Sequence, residues 1–235
     1  MPKLIDCIEA VAFDLDGTLV DTAPDLGAAA SMMLVMLGGR PLPEDQVPKL
    51  IGAGIDEFVR RALVLSGVTP DRLLHSAAAM LFRNLYGQRV FAHSRIYPGV
   101  ANTLRAFRAS GHALYCVTNK ESKFALALLE LAGLRDCFAS VLCADLPEIR
   151  KPSPNLLHAA CAHAGIEPEK MLCVGDSSTD IEAARAAGCP VVAVDYGYHR
   201  DLTLAELQPD AIVSNVEDIL ELSASPWINA LRAIA

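Results

Sequence analysis

From residue 96 onward, short apolar runs alternate with stretches of helical periodicity, and this alternation leaves few architectures open to the chain. Residues 113–117, 140–144, 171–174 and 191–194 read as strands, and 121–132, 153–164 and 179–187 as helices. Proline near the start of the second helix is tolerated there, because a first-turn N–H has no intrahelical partner. Gly111, Gly133, Gly165 and Gly188 stand where helices should stop. Repeated strand–helix–strand units imply a parallel sheet with helices packed on its faces.

The segment from about residue 22 to 94 follows a different rule. After an apolar strand at 8–13, strand-like runs vanish, and 26–37, 55–65 and 73–86 carry apolar residues at helical spacing. Gly38-Gly39, Pro41, Pro43, Pro48, Gly67 and Pro70 break them. The expected organisation is a core of residues 1–20 and 95–235, with a helical unit, 21–94, inserted after the first strand.

The chain has 235 residues, 52% hydrophobic and 20% charged, enough apolar material for a large core and too much for disorder. A net charge of -8 disfavours nucleic acid and anionic membranes as partners. No apolar run is long enough to span a bilayer, and the early acids Asp6 and Glu9 interrupt any signal-peptide core. The seven cysteines form no C-x-x-C pair, and Cys116 and Cys173 lie in strand-like runs. They read as buried, reduced thiols of a cytoplasmic protein. A monomer is the expected state, with a dimer as the alternative.

Four places fall at predicted C-terminal strand ends, where open α/β sheets bind ligands. They are Asp14-Leu15-Asp16-Gly17-Thr18, then Thr118-Asn119, then Lys151-Pro152, then Gly175-Asp176 through Asp180. Each alone has a plain structural reading as a turn, a helix cap or a solvated lysine. Their order and common placement favour a site. Strand alternation sends Asp14 and Asp16 to one side, and a buried like-charge pair demands a cation or a proton.

With these four motifs in order, the chain resembles the haloacid dehalogenase-like (HAD) hydrolase superfamily. The resemblance implies a three-layer Rossmann-like core, an all-helical cap and a Mg²⁺-dependent phosphotransferase. Ile51-Gly52-Ala53-Gly54, Arg60-Arg61, Tyr97-Pro98-Gly99, Val117-Thr118-Asn119-Lys120 and Tyr196-Gly197-Tyr198 extend it toward the bacterial phosphoglycolate phosphatases. On this reading a small phosphorylated metabolite, 2-phosphoglycolate, is hydrolysed to glycolate and phosphate through an aspartyl-phosphate intermediate. Asp14 is the nucleophile, and Asp16 is the proton donor and then the base. Asp14, Asp176 and the backbone carbonyl of Asp16 hold the metal. Thr118, Asn119 and Lys151 hold the phosphoryl oxygens, and Asp180 orients Asp176 or a metal-bound water. Gly52-Ala53-Gly54 is expected to enter the site, and Arg60 and Arg61 are candidates for a substrate carboxylate. The alternatives are a phosphatase for another small ester, such as a sugar phosphate or an amino-sugar acid phosphate, and a phosphomutase.

Overall fold

A computed structural model describes residues 3–198 and 203–223; the predicted core's stretches 1–2, 199–202 and 224–235 lie outside them. In chain order the main elements begin with β1 (Ala10–Phe13), β2 (Val20–Asp21) and α1 (Ala23–Met36). Three more helices follow, α2 (Val47–Leu50), α3 (Ile55–Leu65) and α4 (Arg72–Gly87). The chain continues through β3 (Arg95–Ile96), α5 (Val100–Ala109), β4 (Ala113–Thr118), α6 (Ser122–Leu131) and β5 (Ser140–Cys143). It then forms α7 (Asn155–Ala164), β6 (Met171–Gly175), α8 (Ser178–Ala187), β7 (Val191–Val194) and β8 (Ala211–Val213).

Six strands form one parallel sheet in the order β5-β4-β1-β6-β7-β8. This is the expected α/β core, with β1 at the centre. The chain first builds outward through β4 and β5, then crosses to the other side of β1 for β6, β7 and β8. That reversal opens a crevice at the C-terminal ends of β1, β4 and β6.

Alternation along β1 divides the core into two faces. Val11 and Phe13 point into one apolar cluster with Leu104 and Phe107 of α5 and Leu128 of α6. Ala10 and Ala12 point into the other, with Leu157 and Ala160 of α7 and Ile181 and Ala184 of α8. Both faces are covered, which is why the central strands read as continuous apolar runs rather than alternating ones. Phe13 and Phe107 meet edge to face, with centroids 6.1 Å apart.

Between β2 and β3 the chain forms α1–α4, and these two short strands pair antiparallel, Val20 opposite Ile96 and Asp21 opposite Arg95. The helical unit therefore leaves and rejoins the core through one ribbon. α1 begins at Ala23, three residues before the first periodic apolar position, because Pro24 fits a first turn. α7 starts two residues later than its periodicity predicts, after Ser153 and Pro154. β8 is an edge strand that the sequence analysis does not anticipate; its three residues are too few to show a period.

Asp25, buried in the first turn of α1, closes the helical unit. Its carboxylate accepts from the backbone N–H groups of His93 and Ser94 and from the Ser94 hydroxyl, at 2.6–3.0 Å. Replacing it leaves buried donors without acceptors, which is more costly than losing the bonds themselves. Asp25→Ala should therefore lower the unfolding free energy by about 3 kcal/mol, read from the urea midpoint at constant m.

Candidate active site

Asp14 follows the last residue of β1, and its backbone N–H still bonds Val174 of the neighbouring β6 at 2.9 Å. Beyond it the chain turns sharply through Gly17, whose φ of 93° suits glycine. A side chain on Gly17 would run into the Asp176 carboxylate. The turn thus lets the backbone of the first motif lie directly against the aspartate at the end of β6. Thr18 Oγ1 donates to Asp176 Oδ1 at 2.9 Å, and the Tyr198 N–H donates to Asp176 Oδ2 at 2.5 Å.

Lys151 reaches in from the loop after β5. Its ammonium donates to Asp14 Oδ1 at 2.7 Å, Asp180 Oδ1 at 2.6 Å and the Val117 carbonyl at 2.8 Å. Burial opposes the Lys151 charge, but Asp14 and Asp180 outweigh it and hold the pKa above the ordinary lysine value. Asp180, in the first turn of α8, also accepts from the N–H and hydroxyl of Ser177, a capping box that aims its other oxygen at Lys151. The structure thus places Asp180 on Lys151 and Ser177, in the same carboxylate cluster as Asp176, where the sequence analysis expects it to orient Asp176 or a metal-bound water.

Asn119 clips the loop in place. Its side-chain oxygen accepts from the Lys151 N–H at 2.8 Å, and its amide donates to the carbonyls of Lys151 at 3.0 Å and Gly52 at 2.9 Å. Its side-chain amide is thereby spent on positioning Lys151 and on holding the Gly52 loop of the helical unit. Thr118 accepts from the Lys120 N–H and faces the same pocket.

The pocket is bordered on the core side by Asp14, Asp16, Thr118, Asn119, Lys120, Lys151 and Asp176. On the helical side stand Leu26, Ile51, Gly52, Gly54, Ile55 and Phe58. Six of the seven residues expected to form the site line this one pocket, and Asp180 lies just behind through Lys151. Gly52 and Gly54 border it as anticipated. Arg60 and Arg61 do not: both are salt-bridged to Glu57 on their own helix, at 2.7 and 2.6 Å.

Two residues given no role at the sequence level stand close to the chemistry. Lys120 donates to Asp16 Oδ1 at 2.8 Å, beside the Thr22 hydroxyl, which donates to the same oxygen at 2.6 Å. Tyr198 accepts from the N–H groups of Thr22 and Ala23 and donates to Asp21, tying the start of α1 to the loop that holds Asp176. The signal for Lys120 is its place next to Asn119 at a strand end. Tyr198 carries no comparable local signal.

Two ammonium groups, Lys120 and Lys151, face the four carboxylates of Asp14, Asp16, Asp176 and Asp180. Burial, with help from Asp180 and Asp16 and against Lys151, pushes Asp14 up to about 7. Burial and then the charges of Asp180 and Asp14 push Asp176 well above the usual carboxylate range. These shifts mark carboxylates whose ionised form burial disfavours first and neighbouring carboxylates second, a cost that protons or a cation relieve. One oxygen each from Asp14, Asp176 and Asp180 lie within 4.8 Å of one another. An all-oxygen, carboxylate-rich donor set fits a hard divalent cation.

The raised Asp14 pKa has a defined sign in stability. Between about pH 4 and 7 the folded, metal-free protein holds a proton that the unfolded chain releases, so this group lowers stability as pH rises through that window. Without divalent cations, the melting temperature of the wild type should fall relative to that of Asp14→Asn as pH is raised from 4.5 to 7.5.

No helix among the described residues is long and apolar enough to cross a membrane. The family model for haloacid dehalogenase-like hydrolase matches residues 8–188. A phosphoglycolate phosphatase of Nitrosospira multiformis is 45% identical over 217 residues, covering 92% of this chain and 95% of that one. One from Thiobacillus denitrificans is 43% identical over 215 residues, covering 90% and 93%. The crystal structure of a predicted phosphoglycolate phosphatase from Haemophilus somnus superposes with a TM-score of 0.87 at 35% identity, covering 91% of this chain and 97% of that one. The match to the family model over most of the chain, with its motifs gathered at one pocket, means that this protein belongs to the haloacid dehalogenase-like hydrolases.

Proposed function

We propose that the protein is a phosphatase that hydrolyses 2-phosphoglycolate to glycolate and phosphate. The observation that carries this reading is the Asp14 carboxylate, 2.7 Å from the Lys151 ammonium at the mouth of β1, with Asp16 lining the same pocket and held by Lys120 and Thr22. The substrate assignment draws support from relatives of that name, 37–45% identical over at least nine-tenths of the chain.

In this mechanism Asp14 attacks phosphorus in line, forming an aspartyl phosphate. A carboxylate is a weak nucleophile, but it needs no general base once ionised. Lys151 neutralises part of the phosphoryl charge while holding Asp14 in position. Thr118 offers its hydroxyl to a phosphoryl oxygen, and Asn119 serves by fixing the Lys151 backbone. Asp16 protonates the departing alkoxide and then takes the proton of the water that cleaves the intermediate. Asp14, Asp176 and the Asp16 carbonyl would hold Mg²⁺, with Asp180 close by. When bound, Mg²⁺ supplies the positive charge that lets a dianionic ester approach this acidic site. Residues 21–94 act as a cap whose apolar wall excludes bulk water from the leaving group.

A panel of phosphate monoesters assayed with Mg²⁺ tests the class and the substrate together. Free phosphate should be released, with the highest kcat/KM on 2-phosphoglycolate; retention of the phosphoryl group on a rearranged product would indicate a mutase instead. Asp14→Asn should abolish turnover. Asp16→Asn should still bind substrate while losing at least about 100-fold in kcat, the scale of a lost general acid. Chelation with EDTA should stop the reaction, and Mg²⁺ should restore it.

A further inference from the structure

Phosphoryl binding over Asp14 accounts for only one of the two ammonium groups that line the pocket. Lys151 donates to three acceptors and stands over Asp14, where phosphorus must arrive. Lys120 is as deeply buried, 6% exposed, yet its ammonium donates to one carboxylate, Asp16, and otherwise lies 4.8 Å from the centroid of the Tyr86 ring. An ammonium carries three donors, and holding one out of water is costly unless acceptors meet it.

Opposite Lys120 the helical unit presents Leu26, Ile51, Ile55 and Phe58. Their side chains carry no cation, and Arg60 and Arg61 are committed to Glu57. Of the two ammonium groups that line the pocket, Lys151 stands over Asp14, which leaves Lys120 on the core side to meet a negative charge on the leaving portion of a substrate.

We infer that Lys120 reads the carboxylate of the leaving group, so that the site selects phosphate monoesters of small 2-hydroxy acids over esters of neutral alcohols. This rests on the phosphatase reading given above. In such an ester the carboxylate carbon is two bonds from the ester oxygen. A group touching the acid that protonates that oxygen is therefore placed to reach the carboxylate on the same side of it. Lys120 Nζ is 2.8 Å from Asp16 Oδ1, which meets that requirement. A neutral alcohol of the same length gives the ammonium no anionic acceptor, and the desolvated charge then discriminates against it. The Tyr86 ring, carried on α4, lies against the Lys120 ammonium at this point between core and helical unit.

The test compares 2-phosphoglycolate with 2-hydroxyethyl phosphate on wild type, Lys120→Met and Lys120→Arg. The ratio of the two kcat/KM values on one preparation is independent of the folded fraction. In Lys120→Met the preference for the carboxylate ester should drop by about 30-fold, the scale of one charge-assisted hydrogen bond, and KM for 2-phosphoglycolate should rise. Lys120→Arg keeps the charge and should retain more of the preference than Lys120→Met. Equal losses on both esters in Lys120→Met would overturn the inference, reducing Lys120 to a support for Asp16, while the phosphatase reading stands. A wild type that turns over both esters alike would overturn the phosphoglycolate reading and this inference with it.

Discussion

A single buried ammonium organises the functional end of this molecule. Lys151 joins Asp14 at the end of β1, Asp180 in the first turn of α8 and a carbonyl of β4, three elements distant in sequence. A lysine out of water must be neutralised by groups of excellent geometry. The demand runs both ways, since Asp14 and Asp180 are themselves buried and need a cation. The surrounding devices serve this contact. Asn119 clamps the Lys151 backbone, and the Ser177–Asp180 capping box turns a helix start into a carboxylate support. The sheet order places all of these at one end of adjacent strands.

The helical unit is joined to the core by apolar packing as well as polar ties. One hydrophobic cluster runs from β1 and α5 into α1, α3 and α4 without a break. Tyr86 of α4 packs edge to face on Phe124 of α6, with centroids 5.1 Å apart. Arg83 of α4 also pairs with Glu121 at 2.7 Å and Asp56 at 3.0 Å. Ion pairs of this partly exposed kind contribute little. The aromatic contact and the Asn119–Gly52 hydrogen bond therefore carry more of the docking, and both lie beside the pocket. The pocket and the packing of the two units share one surface.

Much of the fold was legible because its signals are local. Residues 191–194 and 55–65 match β7 and α3 residue for residue, since a continuous apolar run and a clean helical period each declare themselves within a few positions. Boundaries shifted where proline decides the start, as at Pro24 and Pro154. β8 escaped notice because Ala211-Ile212-Val213 becomes a strand through pairing with β7, not through its own pattern. At the site, Asp14, Asp16, Thr118, Asn119 and Asp176 could be singled out because each lies at or just past a strand end, and Lys151 because it follows in a recognisable order from the loop after β5. Arg60 and Arg61 misled, because an arginine pair on a helix looks available until its partner Glu57, three and four residues earlier, is placed.

The sequence by itself determined that a parallel sheet must form, that a helical unit interrupts it after the first strand, and which carboxylates and lysine gather at its C-terminal end. These follow from periodicity and from the direction in which strands deliver their last side chains. Tertiary structure alone decided what each group touches. It committed Asn119 to the backbone of Lys151, gave Asp180 to Lys151, tied Asp176 to Tyr198 and set Lys120 against Asp16. Such pairings link residues 22 to 104 positions apart. Hydrogen bonds and ion pairs are settled at distances of about 3 Å, which only the packed chain can specify.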